Sequence, residues 1–121
     1  MIGSADEVVV NCQHPASLAA FWASILGGEP VHQSAAWSFI DPPGWTRLAF
    51  QRVPETKQGK NRLHIDVCVD DVPTATTAAE ALGAVRIGAI HSDAVGTFQV
   101  LLDPEGNEWC VVRSAQADSS G

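Results

Sequence analysis

The segment Leu63–Val69 reads LHIDVCV. In a strand, alternate side chains point to opposite faces. Leu63, Ile65, Val67 and Val69 then form one apolar set suited to packing on a helix, and His64, Asp66 and Cys68 form the other. An imidazole on such a face can serve as general base, ligand or pocket wall, because its charge changes near neutral pH. The plainer alternative is a strand histidine hydrogen-bonded to Asp66. Glu7–Cys12 (EVVVNC) alternates in the same way, with Val8, Val10 and Cys12 toward a helix and Glu7, Val9 and Asn11 on the other face. Glu7 stands 20 positions before Gly27 and His64 stands 19 before Gly83, so the two are equivalent to within one residue. Arg47 shares a strand face with Ala49 and Gln51 and is able to hold a substrate carboxylate through its planar fork; a solvated strand-end arginine is the commoner case. Trp37, Phe39, Trp45 and Phe98 lie on or beside strands, as a stacking wall for a ligand or as sheet packing and a dimer seam. His14, His32 and His91 read as surface histidines.

The elements that hold these residues recur. Glu7–Cys12 is a β-branched strand, and His14-Pro15 opens a helix with proline where its missing N–H costs nothing. Leu18, Phe21, Trp22, Ile25 and Leu26 repeat as one buried helical face, which Gly27-Gly28 ends with a left-handed cap. Strands follow at 29–33, 36–40 and 47–53, the last two joined by the turn Asp41-Pro42-Pro43-Gly44. The second half repeats the order: a strand at 63–69, Asp71 as a cap, then a weaker stripe of Val72, Ala75, Ala79 and Leu82. Leu82-Gly83 stops that helix, and strands fit 84–87, 97–102 and 108–112. The turn Asp103-Pro104-Glu105-Gly106 stands 62 positions after its counterpart, and Leu82-Gly83 stands 56 after Leu26-Gly27. The expected fold is α+β: two paired βαβββ modules, with curved mixed sheets around a shared cleft and the helices outside. Module one spans about 6–53 and module two about 62–114, with a polar linker at 54–61 and a frayed tail at 115–121.

Bulk properties narrow the function. The chain has 121 residues, 45% hydrophobic and 17% charged, which is one ordinary globular domain. A net charge of −7 argues against a nucleic-acid surface and admits a cationic ligand. Three cysteines without metal-knuckle spacing read as reduced thiols of a cytoplasmic protein. No basic stretch followed by an apolar run stands at the start of the sequence, so no signal peptide is expected, and no apolar run reaches membrane length. No nucleophile elbow, P-loop or dinucleotide fingerprint appears either.

Together, the strand–helix–Leu-Gly order, HIDVCVDDV from His64 to Val72 and DPEGNEWCVV from Asp103 to Val112 resemble the vicinal oxygen chelate superfamily of glyoxalases, extradiol dioxygenases and bleomycin- and fosfomycin-resistance proteins. More narrowly they resemble short bacterial glyoxalase-like domain proteins. The resemblance covers about residues 6–114 and implies the same paired-module fold. It implies a homodimer and a small organic molecule as partner; charge and apolar run length already speak against nucleic acid and membrane. It also implies one of two chemistries. Members with full sites hold a divalent metal through the first and fourth strands of each module and use it as a Lewis acid on vicinal substrate oxygens, as lyases, isomerases or dioxygenases. Bleomycin-type members hold no metal and sequester a drug. Carried over residue by residue, Glu7 and His64 match first-strand ligand positions. The fourth-strand positions fall at Ala49, which has no donor, and at Cys110, where the family usually has Glu. Glu7, His64 and a Cys110 thiolate would make a three-ligand zinc site with an open position; Cys110 as a small apolar filler is the alternative. Asn11, Trp37, Arg47, Ala49, Gln51, Asp66 and Phe98 are the expected ligand-binding residues. The expected function is a small-molecule binder with a degenerate metal site, His64 carrying any catalysis.

Overall fold

The protein was analysed as a computed structural model that describes residues 1–57, 59 and 63–115. Two compact units, Met1–Gln58 and Gly59–Gly121, divide the chain. Each carries one helix and one four-stranded mixed sheet, so the α+β class and the paired βαβββ modules are both present. Of the expected linker, positions 58, 60 and 61 lie outside the described residues, as do positions 116–121 of the expected tail. Ala115, assigned to that tail, instead donates its N–H to the Val95 carbonyl at 2.9 Å. None of the described helices is long and apolar enough to cross a membrane.

Module one runs β1 (Glu7–Cys12), α1 (Pro15–Leu26), β2 (Val31–Ser34), β3 (Trp37–Ile40) and β4 (Arg47–Arg52), with strand order β1-β4-β3-β2. β1 is parallel to β4 because the α1 crossover returns the chain in the same direction. The two hairpins are antiparallel. α1 buries Leu18, Ala19, Phe21 and Trp22 against β3 and β4, where Ile40, Leu48 and Phe50 are fully buried. Phe21 and Trp22 meet edge to face at 5.5 Å. Ile25 and Leu26 are only half-buried, since the helix stops beside them. The stop differs from the expected left-handed cap: Gly27 has φ 93° but ψ 178°. Gly28 is also at positive φ, and a Cβ there would stand 2.8 Å from the Asp41 carbonyl oxygen, so only glycine fits.

Module two runs β5 (Asp66–Cys68), α2 (Val72–Ala81), β6 (Val85–Ser92), β7 (Gly96–Leu102) and β8 (Glu108–Ser114), in the order β5-β8-β7-β6. β5 is shorter than the expected 63–69. The ladder begins where Cys110 N–H donates to the Ile65 carbonyl at 3.0 Å, and Leu63 is 78% exposed instead of packing on a helix. β6 is longer than the expected 84–87. It continues past a bulge between Ile87 and His91, where Gly88 takes φ 70°. Gln99 closes that bulge from inside the core: fully buried, its Nε2 donates to the Ile87, Gly88 and Val100 carbonyls at 3.0, 3.2 and 3.0 Å. The α2 stripe also shifts. Val72, Thr76 and Ala79 are buried while Leu82 is exposed; Thr76 tolerates the core because its hydroxyl donates to the Val72 carbonyl four residues back. Trp109 and Leu101 anchor the opposing sheet face.

Asp71 caps α2 as expected, accepting from the Thr74 N–H at 3.0 Å and from the Thr74 hydroxyl. The Thr74 bonds hold its carboxyl below the usual aspartate range. A depressed folded-state value means that this stabilisation is complete above the unfolded value of about 3.9 and disappears as pH falls through the folded one. Asp71→Ala is therefore expected to lower the melting temperature at pH 7 and to narrow its gap to the parent as pH falls below about 4. Thermal melts from pH 2 to 7 read this; a gap independent of pH would show that the cap is not ionic.

The two Asp-Pro turns have diverged for a physical reason. Asp103 is buried, and its Oδ1 accepts from the backbone N–H groups of Glu105 and Asn107 at 2.9 and 3.0 Å. In module one the residue two after the aspartate is Pro43, which has no N–H to give. The hydrogen-bonded turn moves on by one, with Trp45 N–H donating to Pro42 at 3.2 Å. Asp41 turns outward to Arg47 instead.

Candidate functional site

The strand ladders settle which side chains share a face within each module. In module two Asp66 stands beside Cys110 and Val100 in one row, and Cys68 beside Val112, Phe98 and His91 in the next. These residues lie opposite Gln99, Leu101, Trp109 and Val111, which face α2. A pocket of about 390 Å³ opens on this side, lined by His64, Asp66, Phe98, Cys110 and Val112, with the Asp93–Thr97 turn, Arg113 and Ser114 at its margin. Its volume and mostly apolar wall suit a small organic molecule.

His64 precedes the ladder by two residues, and its Nε2 lies 3.4 Å from Asp66 Oδ1. The Cys110 thiol donates to the Asp66 carboxylate on the neighbouring strand. Burial, followed by the charge of Asp66, that hydrogen bond and the charge of Glu108, pushes the thiol pKa up. Asp66 thus stands between an imidazole and a protonated thiol. Phe98 stacks on His91 across the β6–β7 pair, with centroids 5.0 Å apart and planes at 23°. His91 is therefore a strand residue with an aromatic partner, and His32 donates to or accepts from Ser38 Oγ at 2.8 Å. Both are exposed, as the reading of surface histidines expects, and each has a partner. His14 is the N-cap residue of α1.

In module one, Glu7, Val9 and Asn11 lie beside Arg47, Ala49 and Gln51 in that order. Phe39 and Trp37 sit next to Ala49 and Gln51 on the other side. This is the face opposite α1, as the alternation predicts. Its character differs from that of module two. Ala49 is fully buried, Asn11 and Gln51 are exposed, and the Arg47 guanidinium lies 3.8 Å over the Phe39 ring. Asp41 grips Arg47 with two bonds, Nε to Oδ1 at 2.8 Å and Nη2 to Oδ2 at 3.1 Å. Arg47 holds the Asp41 carboxyl below its usual range, and Asp41 raises the guanidinium in turn. The fork expected to receive a substrate carboxylate thus already holds one of the protein's own. Trp45 is half-exposed in the turn.

Of the expected site residues, the structure brings His64, Asp66, Cys110 and Phe98 around one pocket, and sets Glu7, Asn11, Trp37, Arg47, Ala49 and Gln51 on one face of module one. Sequence reasoning missed Asp93, Val95 and Val112. Counting outward from Cys110 in steps of two would have found Val112. The Asp93 turn had no such signal, because it depends on β6 running past its bulge.

Among the described residues no group of three or more His, Cys, Asp or Glu side chains is placed to hold an ion.

A family model described as "Glyoxalase-like domain" matches residues 7–112. The chain belongs to this family. Solved structures of similar fold agree with it. A glyoxalase/bleomycin resistance protein/dioxygenase family enzyme from Burkholderia phytofirmans PsJN aligns at TM-score 0.76 and 21% identity, covering 90% of this chain and 97% of that one. A glyoxalase-related enzyme from Fulvimarina pelagi aligns at 0.73 and 15%, covering 93% and 89%. A mutant of the fosfomycin resistance protein FosX from Listeria monocytogenes, complexed with Mn(II) and 1S,2S-dihydroxypropylphosphonic acid, aligns at 0.75 and 16%, covering 96% and 94%. No curated protein sequence matches the chain significantly. For this glyoxalase-like domain, kinship of that distance carries the fold; its chemistry has to be argued from its own residues.

Proposed function

We propose that this glyoxalase-like domain binds a small organic molecule in the pocket of module two, at a metal site that has degenerated. The observation that carries the reading is the pocket itself: about 390 Å³ on an open sheet face, with Phe98 and Val112 as apolar surface and His64, Asp66 and Cys110 as a compact polar group. Asn11, Trp37, Ala49 and Gln51 on the corresponding face of module one are the further candidate contacts. The protein works as a cytoplasmic homodimer in this reading, which fits its three free thiols; sedimentation at the mass of one chain would contradict the dimer.

A second reading, a metal-dependent lyase, isomerase or dioxygenase, draws support from the Mn(II) complex of a protein of similar fold. It would use Glu7, His64 and Cys110 as ligands, with His64 the residue most exposed to loss. Elemental analysis after growth in zinc- and manganese-supplemented medium separates the two. The expected result is far less than one ion per chain, together with thermal stabilisation by a subset of small molecules that Phe98→Ala weakens. One equivalent of metal, lost in His64→Ala, would replace the binder with the metalloenzyme.

A further inference from the structure

Among the described residues, the charges around the pocket of module two are mostly negative. Asp66 on β5 and Asp93, just beyond β6, stand at opposite edges of the sheet, with Cys110, Val112 and Phe98 between them. Arg113 is the single lysine or arginine among the described lining residues, and its Nη1 is turned to the Asp70 carbonyl. Asp93 is tied to its own turn, with Oδ1 accepting from the Val95 and Gly96 N–H groups at 2.8 and 3.1 Å. Asp66 has no backbone partner of that kind; its neighbours are the His64 ring and the Cys110 thiol. Two strands away lies the Phe98 ring, backed by His91. A half-exposed carboxylate at one side of the pocket and an aromatic ring at the other suit a ligand with a cationic head and a flat apolar body, the charge taking the head and the ring the body.

We infer that the pocket of module two selects an organic monocation, a protonated amine carried on a short arm from a flat apolar body, with Asp66 as charge partner and Phe98 as floor. The inference rests on the reading of that pocket as the ligand site. Asp66 and Phe98 stand two strand spacings apart, about 10 Å. The ring and the ammonium therefore need at least three linking atoms between them, which excludes compact cations such as ammonium itself. The net charge of −7 adds a long-range bias in the same direction. An anionic ligand of the same shape would meet the Asp66 and Asp93 carboxylates.

Three probes of one shape test this: 3-phenylpropylamine, 3-phenylpropan-1-ol and 3-phenylpropionate, titrated into the full chain and followed by amide chemical shifts. The amine is expected to bind about tenfold tighter than the alcohol, one charge-assisted hydrogen bond's worth, and the carboxylate weakest. Asp66→Asn, a change of the same shape at a half-exposed position, should bring the amine down to about the alcohol's affinity, closing the gap between the two. Amine and alcohol of equal affinity, or a gap that survives Asp66→Asn, would overturn the cation inference while the pocket reading stands. If no probe moves the amides of Phe98, Cys110 and Val112, the pocket reading falls and this inference with it.

Discussion

Trp109→Ala should cost about 3–5 kcal/mol of folding free energy, the range for emptying a large aromatic site in a packed core. Trp109 is 1% exposed and is the largest fully buried side chain among the described residues. It lies on the α2-facing side of β8, next to Leu101 on β7. Its removal leaves a large cavity on the face of β8 that packs against α2, and a domain of this size has only about 5–15 kcal/mol in total. Chemical denaturation checks the figure through the midpoint at unchanged m value. A loss below about 1 kcal/mol would mean that the indole is not packed as described.

Gly96→Ala is expected to be the most damaging single methyl in module two. An added Cβ would stand 2.4 Å from the Arg113 carbonyl oxygen, 3.1 Å from Ser114 Cα and 3.2 Å from Ala115 N. All three are backbone atoms of β8 or of the residue just after it, so none can swing aside as a flexible side chain would. The β7–β8 ladder must open at its end, where Gly96 pairs with Ser114 and the pocket has its margin. Overpacking of this kind costs about 1–3 kcal/mol. Hydrogen exchange should show lost protection at the Gly96–Ser114 end before the Leu102–Glu108 end. Protection equal to the parent's at both ends would refute the account.

Much of the fold was legible because the sequence states its elements twice. β1, α1, β4 and the Asp103 turn follow from β-branched runs, a proline at the first helical turn and a turn motif, all local signals. β5 and β6 were misjudged because their ends depend on partners. β5 stops where β8 ceases to pair with it, whatever the apolar character of Leu63. β6 continues because Gln99, eleven and twelve residues on, satisfies the bulge carbonyls. Half of the candidate site was visible by alternation, which put His64, Asp66 and Cys110 on one face. Proton placement was not, since the raised thiol reflects burial and two carboxylates from different strands. Arg47 shows the limit most plainly. Its strand face was correct, but its occupant, Asp41, was freed by a proline that cannot donate.

The reading stands or falls on where a ligand sits. A crystal structure of the full chain soaked with the tightest ligand from a thermal-shift screen is the direct measurement. The predicted result is ligand density over Phe98 and Val112 with a polar atom within hydrogen-bond reach of Asp66, and no metal between ligand and protein. Density against other residues with this face empty, or a metal ion bridging His64 to the ligand's oxygens, would contradict it.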